Sequence, residues 1–394
     1  MNYLIAMNNL YSAPDDKPLP DYFGPPLDRP FSLVLNSRQN KMPRGSELWV
    51  QKSMEAARYI AEKGHTALTS MGMHPWNLCV WVVSAVGGAQ IIVLPKYDGD
   101  DFEVTIDNLI LDYNLNPDKT GFLLFPTNTS SAKPKAAWRE RDQMIIEMAD
   151  RIYPVAVRPA GNMAGHVESA VAGGKTVIRD FRCEYNPAKP ERLHKFDART
   201  VAEKFPAEKW DYLTHWTRSF TGPWPDETSA DYYSAVANSG SVYSRSALAS
   251  LKRIISEKRI FAGDDHARRG ERFVSFTELS PSQALELMKW KPRQMRYSFE
   301  PYGIAIRKEA AVAVGIRKVI YGDGKAYRSL PDFEKPYFQM IGKSDWSREA
   351  EWRRLSDVPF EKIDRADMLI IVAKNDDKAR LPMPGGIRVV SLEG

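Results

Sequence analysis

Seven residues in the first half of this chain have the types and spacing to hold a phosphate: Ser37 and Arg38, Gly72, Arg139 and Arg141, then Arg158 and Gly161. Arginine offers a planar fork of donors that matches two phosphate oxygens at once. Glycine at a strand-to-helix turn lets backbone N–H groups close on the same anion at a helix N-terminus. In the second half, His215 sits mid-run in residues 212–218, and Glu349 and Glu351 lie two residues apart beside Trp346 and Trp352. A carboxylate placed this way can stabilise positive charge developing on a sugar ring, or deprotonate an acceptor. Taken singly, each group also has a plain structural reading. The arginines serve as surface charges and the glycines as turn formers; His215 is a satisfied strand residue, and the glutamates pair with Arg348, Arg353 or Arg354 on a solvated helix.

The first set depends on where the turns fall. Short apolar runs at Phe31–Leu35, Thr66–Ser70, 90–94, 121–125, 152–157 and 176–178 read as strands. Helical periods at 47–63 and 78–86 intervene, with another helix opening near Trp138 and one after Gly161. Such alternation predicts an α/β fold, a Rossmann-like doubly wound parallel sheet whose polar turns share one edge. Residues 1–30, rich in proline, read as an irregular lead-in, 31–185 as the nucleotide- or nucleic-acid-binding domain, and 186–209 as a charged linker. Residues 210–394 read as a separate α+β domain, with strands at 212–217, 273–276, 302–307, 318–321 and Met368–Val372. Helices are predicted there at Ala247–Glu257, at 282–288 and, polar in character, around 347–353.

Composition bounds the possibilities. A length of 394 residues exceeds the usual single core, so two domains are expected. A formal charge of +5 permits contact with phosphates without the excess of a DNA-coating protein. Two cysteines, Cys79 and Cys183, exclude a disulfide framework and a thiolate metal site, and fit a reducing cytoplasm. Cys79 reads as core, and no metal-ligand spacing is seen, so no metal is expected. No long apolar run predicts a membrane span, and the first residues do not read as a signal peptide. Trp210, Trp216 and Trp224 read as core, with a homo-oligomer interface as the other reading.

As an ordered set, the first-half turns resemble the DNA-processing protein A family over about residues 31–180. Asn36-Ser37-Arg38 resembles that family's G-S-R, with asparagine for the first glycine. Ser70-Met71-Gly72-Met73 is similar to its S-G-x-A-x-G-I-D turn, without the acidic end. Residues 139–146 resemble its R-N-R-I-I helix in degraded form, and Ala160-Gly161-Asn162 its S-G-[ST] turn. The resemblance implies binding of single-stranded DNA or a nucleotide through Ser37, Arg38, Gly72, Arg139, Arg141, Arg158 and Gly161. The second half loosely resembles the ADP-ribosyltransferase superfamily and a group of abortive-infection proteins over about 210–372. It shares a strand of H-x-[ST] type, a middle strand Ser275-Phe276-Thr277 and a late glutamate. That implies NAD as cofactor, with His215, Tyr302 and Glu351 catalytic and Arg218, Arg269, Ser275 and Thr277 holding the dinucleotide.

Together these readings predict a nucleic-acid- or nucleotide-binding domain joined to an NAD-using transferase, in defence against mobile DNA. A non-catalytic single-stranded DNA- or nucleotide-binding protein is the alternative. A third reading is an N-glycosidase or nucleotide hydrolase acting in the first domain.

Overall fold

The computed structural model describes residues 20–97, 101–127, 134–187, 194, 196–263, 272–292, 296–341 and 346–393. The chain forms two units, one of Met1–Lys189 with Gly222–Ser244, the other of Pro190–Thr221 with Arg245–Gly394. The boundary expected at 186–209 thus falls near its start, and a segment of the later chain returns to the first unit.

The first unit begins with β1 (Asp21–Phe23), β2 (Phe31–Leu35), α1 (Leu48–Glu62), β3 (Thr66–Ser70), α2 (His74–Ala85) and β4 (Gln90–Lys96). It continues with α3 (Phe102–Tyr113), β5 (Thr120–Pro126), α4 (Pro134–Met148), β6 (Arg151–Pro154), α5 (Asn162–Ala172) and β7 (Thr176–Val177). The sheet order is β1-β5-β4-β3-β2-β6-β7, parallel except for β1, which runs against β5. This is the Rossmann-like α/β arrangement. All five residues of β2 and of β3 are buried, as strands covered on both faces must be. The α1 helix turns Trp49, Val50, Met54, Ala57 and Ile60 into one core cluster, while Phe31, Leu33 and Leu35 of β2 enter another. The lead-in expected to be irregular contains β1, anchored where Tyr22 donates to the Pro25 carbonyl at 2.6 Å. Residues 1–19 of that lead-in lie outside the described residues.

The second unit starts with α6 (Ala198–Lys204) and β8 (Tyr212–Trp216). The chain then supplies α7 (Ser229–Ala237) to the first unit, where Tyr232, Tyr233 and Val236 are core residues. Next come α8 (Ala247–Glu257), β9 (Arg259–Ile260), β10 (Val274–Thr277), α9 (Pro281–Glu286), β11 (Trp290–Lys291), β12 (Arg296–Tyr297) and β13 (Gly303–Arg307). The remainder is α10 (Lys308–Ala313), β14 (Arg317–Lys318), β15 (Ile320–Gly322), α11 (Gly324–Ser329), β16 (Phe338–Met340), β17 (Glu351–Arg354), β18 (Val358–Pro359), β19 (Met368–Val372), α12 (Asn375–Lys378) and β20 (Arg388–Ser391). The main sheet runs β14-β17-β10-β8-β13-β19-β20, antiparallel except for the last pair. One face packs Phe276, Ile304, Trp352 and Ile370 with Leu251 and Ile255 of α8. On the other, Ala305, Leu369 and Ile371 pack with Val201 and Phe205.

Residues 347–353, read from sequence as a polar helix, are instead the end of a short 3-10 turn and most of β17. Ala350 joins them at φ 45°, in the left-handed region that interrupts a helix. The letters alternate across β17, and pairing with β10 satisfies the backbone that a helix would have used.

Candidate functional site

In the first unit the strand order reverses between β2 and β6, which lie side by side although β3, β4 and β5 come between them in the chain and stack on the opposite flank of β2. Connections from these two strands depart in opposite directions, leaving a crevice at their carboxyl ends. Three bonds fasten the crevice floor. The Ser37 N–H donates to the Ala156 carbonyl at 3.0 Å, the Ala156 N–H to Asn36 Oδ1 at 3.0 Å, and the Arg158 N–H to Ser37 Oγ at 2.9 Å. Asn36 also donates to Ser53 Oγ of α1 at 2.9 Å, so one buried amide ties both strands and a helix. Asn36 therefore has a structural job in this floor.

On this floor, Arg38 and Arg158 stand at the carboxyl ends of the two strands, both exposed. The Arg38 guanidinium lies 5.5 Å from the centre of the Trp138 ring on α4. Neither it nor Arg158 has a carboxylate partner among the described residues. Arg139 is exposed on α4 and equally without an acidic partner among them. Gly161 precedes α5 with no side chain capping the first turn, and a Cβ there would come within 3.2 Å of the Arg158 carbonyl oxygen. Gly72, after β3, has φ 96°, a conformation that disfavours any side chain. Ser37, Arg38, Arg158 and Gly161 are thereby brought together around the reversal.

Arg141 is different. It is 1% exposed and its Nη1 donates to the Met71 carbonyl at 2.9 Å, while Nε and Nη2 reach Asp142 Oδ1 at 2.9 and 2.7 Å. It fastens α4 to the turn after β3 and has no fork left for a phosphate, which corrects the expectation that it binds one. Burial raises the Asp142 pKa despite Arg141's opposing pull. Next to this turn, His74 Nε2 faces the Lys41 carbonyl at 3.2 Å and Nδ1 the Tyr233 hydroxyl at 2.8 Å. A carbonyl only accepts, so Nε2 carries the proton and Nδ1 accepts from tyrosine. Loss of water pushes the imidazole down to about 4, the Lys41 charge adding to that and its carbonyl opposing it. Sequence reasoning missed Trp138 as the platform under Arg38 and missed His74 as a fixed neutral residue. The adjacent Trp138-Arg139 letters were a signal for the first, but nothing announced the second, because Tyr233 is far along the chain.

In the second unit the expected convergence of His215, Tyr302 and Glu351 does not occur. Register pairs Thr277 with both Glu351 and Thr214, while Ile304 pairs with His215 and Phe276 with Trp352. Side chains alternate across a strand, so Glu351 and His215 stand on opposite faces of the sheet. His215 donates from Nδ1 to the Ser275 carbonyl at 2.9 Å, and its ring packs on Phe276. Desolvation pushes its pKa down to about 4, against that hydrogen bond and with help from the Arg218 charge. Tyr302 donates to the buried Asp377 at 3.1 Å; burial, then the Asp377 charge, raises its phenol. Arg218 lies just past β8 with its guanidinium 5.6 Å from the Phe220 ring. Arg269 lies outside the described residues.

Three of the predicted residues do meet. Ser275 Oγ donates to Glu351 Oε1 at 2.7 Å, and Thr277 Oγ1 to the Glu349 carbonyl at 2.6 Å. Arg353 grips both Glu351 oxygens, at 2.8 and 2.9 Å, and also reaches Gln339. Tyr321 accepts from the Glu351 N–H at 3.1 Å. Among the described residues no cluster of histidine, cysteine, aspartate or glutamate could hold a metal ion, and no helix is long and apolar enough to cross a membrane.

No protein-family model matches the chain, and no curated protein matches it in sequence. Among solved structures, the molybdenum cofactor carrier protein of Chlamydomonas reinhardtii is 18% identical with a TM-score of 0.26, covering 38% of this chain and 75% of that one. DNA processing protein A from Helicobacter pylori, which binds single-stranded DNA, is 12% identical with a TM-score of 0.32, covering 52% of this chain and 86% of that one.

Proposed function

We propose that the first unit binds the phosphates of a single-stranded nucleic acid or a nucleotide at the β2–β6 reversal. The observation that carries this reading is the pair Arg38 and Arg158, which flank that reversal without a carboxylate among the described residues to neutralise either. A phosphodiester supplies the missing anion, and each guanidinium can grip it with two donors. Trp138, half-buried under Arg38, adds an aromatic surface of the kind on which bases stack. Single-stranded DNA is the ligand the Helicobacter pylori protein binds; the reading here stands on the arginines. Fluorescence anisotropy with a labelled single-stranded oligonucleotide tests it. Arg38→Ala and Arg158→Ala should each weaken binding roughly tenfold at low salt, for the loss of one charged hydrogen-bonding group. Unchanged affinity in both variants refutes the site.

A second reading has one contact behind it, the Ser275–Glu351 hydrogen bond. It places a serine and a carboxylate on one face, as the ADP-ribosyltransferase resemblance calls for, with neither His215 nor Tyr302 beside them. In this reading NAD is consumed there, and Glu351 holds a ribose hydroxyl once Arg353 yields it. Incubation with labelled NAD, with Ser275→Ala and Glu351→Gln as controls, tests it. Label transfer or nicotinamide release lost in both variants supports the reading; no NAD loss by the intact protein removes it.

A further inference from the structure

A cavity of about 490 Å³ opens in the second unit between the β9–β18 ladder and the end of β17, lined by Arg259, Arg272, Arg354 and Lys362 with Asp357 and Glu361. We infer that it is a binding site for the phosphate group of a small anionic metabolite, distinct from the β2–β6 crevice of the first unit and from the Ser275–Glu351 pair.

Four cations face two carboxylates, and one of those carboxylates, Asp357, is the ion-pair partner of Arg259, one of the four. Asp357 accepts from the Ala262 N–H at 2.9 Å and from Arg259 at 3.3 Å. Glu361 and Lys362 are both exposed, and Arg272 and Arg354 have no carboxylate partner among the described residues, so the cavity keeps a net positive charge. Arg272 is held in place by its Nε and Nη2 bonds to the Ala262 carbonyl, at 3.1 and 2.7 Å, which leaves Nη1 outside that grip. The most pointed observation concerns Arg354, whose Nη1 is buried with no hydrogen-bond partner among the described residues. A buried guanidinium nitrogen without an acceptor is costly, and an oxyanion entering from the cavity satisfies it. Register explains why it is there. Arg353 pairs with Ser275 and turns to Glu351, so the next residue, Arg354, opposite Val274, must project from the other face. The two adjacent arginines therefore serve different clients. A volume near 490 Å³ is in the usual range of small-ligand sites and is too small for a folded macromolecular segment.

Calorimetry on the full chain tests the inference with three probes: inorganic phosphate, ADP and a single-stranded oligonucleotide. Saturable binding of phosphate or ADP is expected, weakened at least tenfold by Arg354→Met and severalfold by Lys362→Ala, and both effects persist in an Arg38→Ala background, which removes the contribution of the β2–β6 crevice. Lys362 is exposed, so its variant keeps the measurement interpretable even where Arg354→Met impairs folding. Absence of phosphate and ADP binding, binding indifferent to both variants, or an Arg354-dependence seen with the oligonucleotide alone each overturns it.

Discussion

With its guanidinium donating to Asp142 and to the Met71 carbonyl, Arg141 holds α4 against the turn after β3 from a buried position. Its removal leaves a shielded carboxylate without its cation, so Arg141→Ala is expected to destabilise the first unit by about 3–5 kcal/mol in chemical denaturation. Arg158→Ala, at a solvent-facing position, should fall within about 0.5 kcal/mol while weakening ligand binding. Equal stability of the two variants contradicts the division of roles. His74 gives a pH signature at the same scale. Its folded pKa of about 4 lies below the ordinary 6.5, so the unfolded chain takes up the proton first. The stability this contributes is complete above pH 6.5 and lost as pH falls towards 4, by up to about 3 kcal/mol. His74→Gln should flatten that acid limb; an unchanged limb means that other groups set it. These three side chains also mark the limit of reading from letters. Arginines 139 and 141 look alike in the sequence, and only packing against Met71, a segment far upstream, separates an exposed cation from a structural one.

At the scale of elements, the reversal between β2 and β6 depends on Asn36 more than on any glycine. Asn36→Ala strands the buried Ala156 N–H and frees Ser53, which should cost about 1–3 kcal/mol and lower ligand affinity together. Loss of stability with affinity intact indicates that the crevice floor does not shape the site. The runs at β2, β3 and α8 were legible because their periods are strong and their ends are marked by polar residues. Short strands were not. β1 has three residues and pairs with β5, about a hundred positions away, so nothing local announces it. In β17 the charged letters read as helix until β10 supplies a partner, and that error concealed the alternation separating Glu351 from Trp352. The same missing register made His215 and Glu351 look able to meet.

For the molecule as a whole, chain order and unit membership disagree. α7 lies beyond the expected linker yet buries Tyr232 and Tyr233 in the first unit, with Tyr233 stacked near Tyr113 and bonded to His74. A fragment of residues 1–209 should therefore bind a hydrophobic dye and unfold without a sharp transition, while residues 1–246 should unfold cooperatively in denaturant. Cooperative unfolding of the shorter fragment contradicts the assignment of α7. Phosphate binding at the reversal is tested most directly by the salt dependence of oligonucleotide affinity in wild type, Arg38→Ala and Arg158→Ala. Each substitution should reduce the slope of log affinity against log salt by about 0.7, the value for one phosphate of a single strand left unneutralised. Slopes that coincide in all three proteins, or a chain that does not bind the oligonucleotide or a free nucleotide at low salt, contradict it.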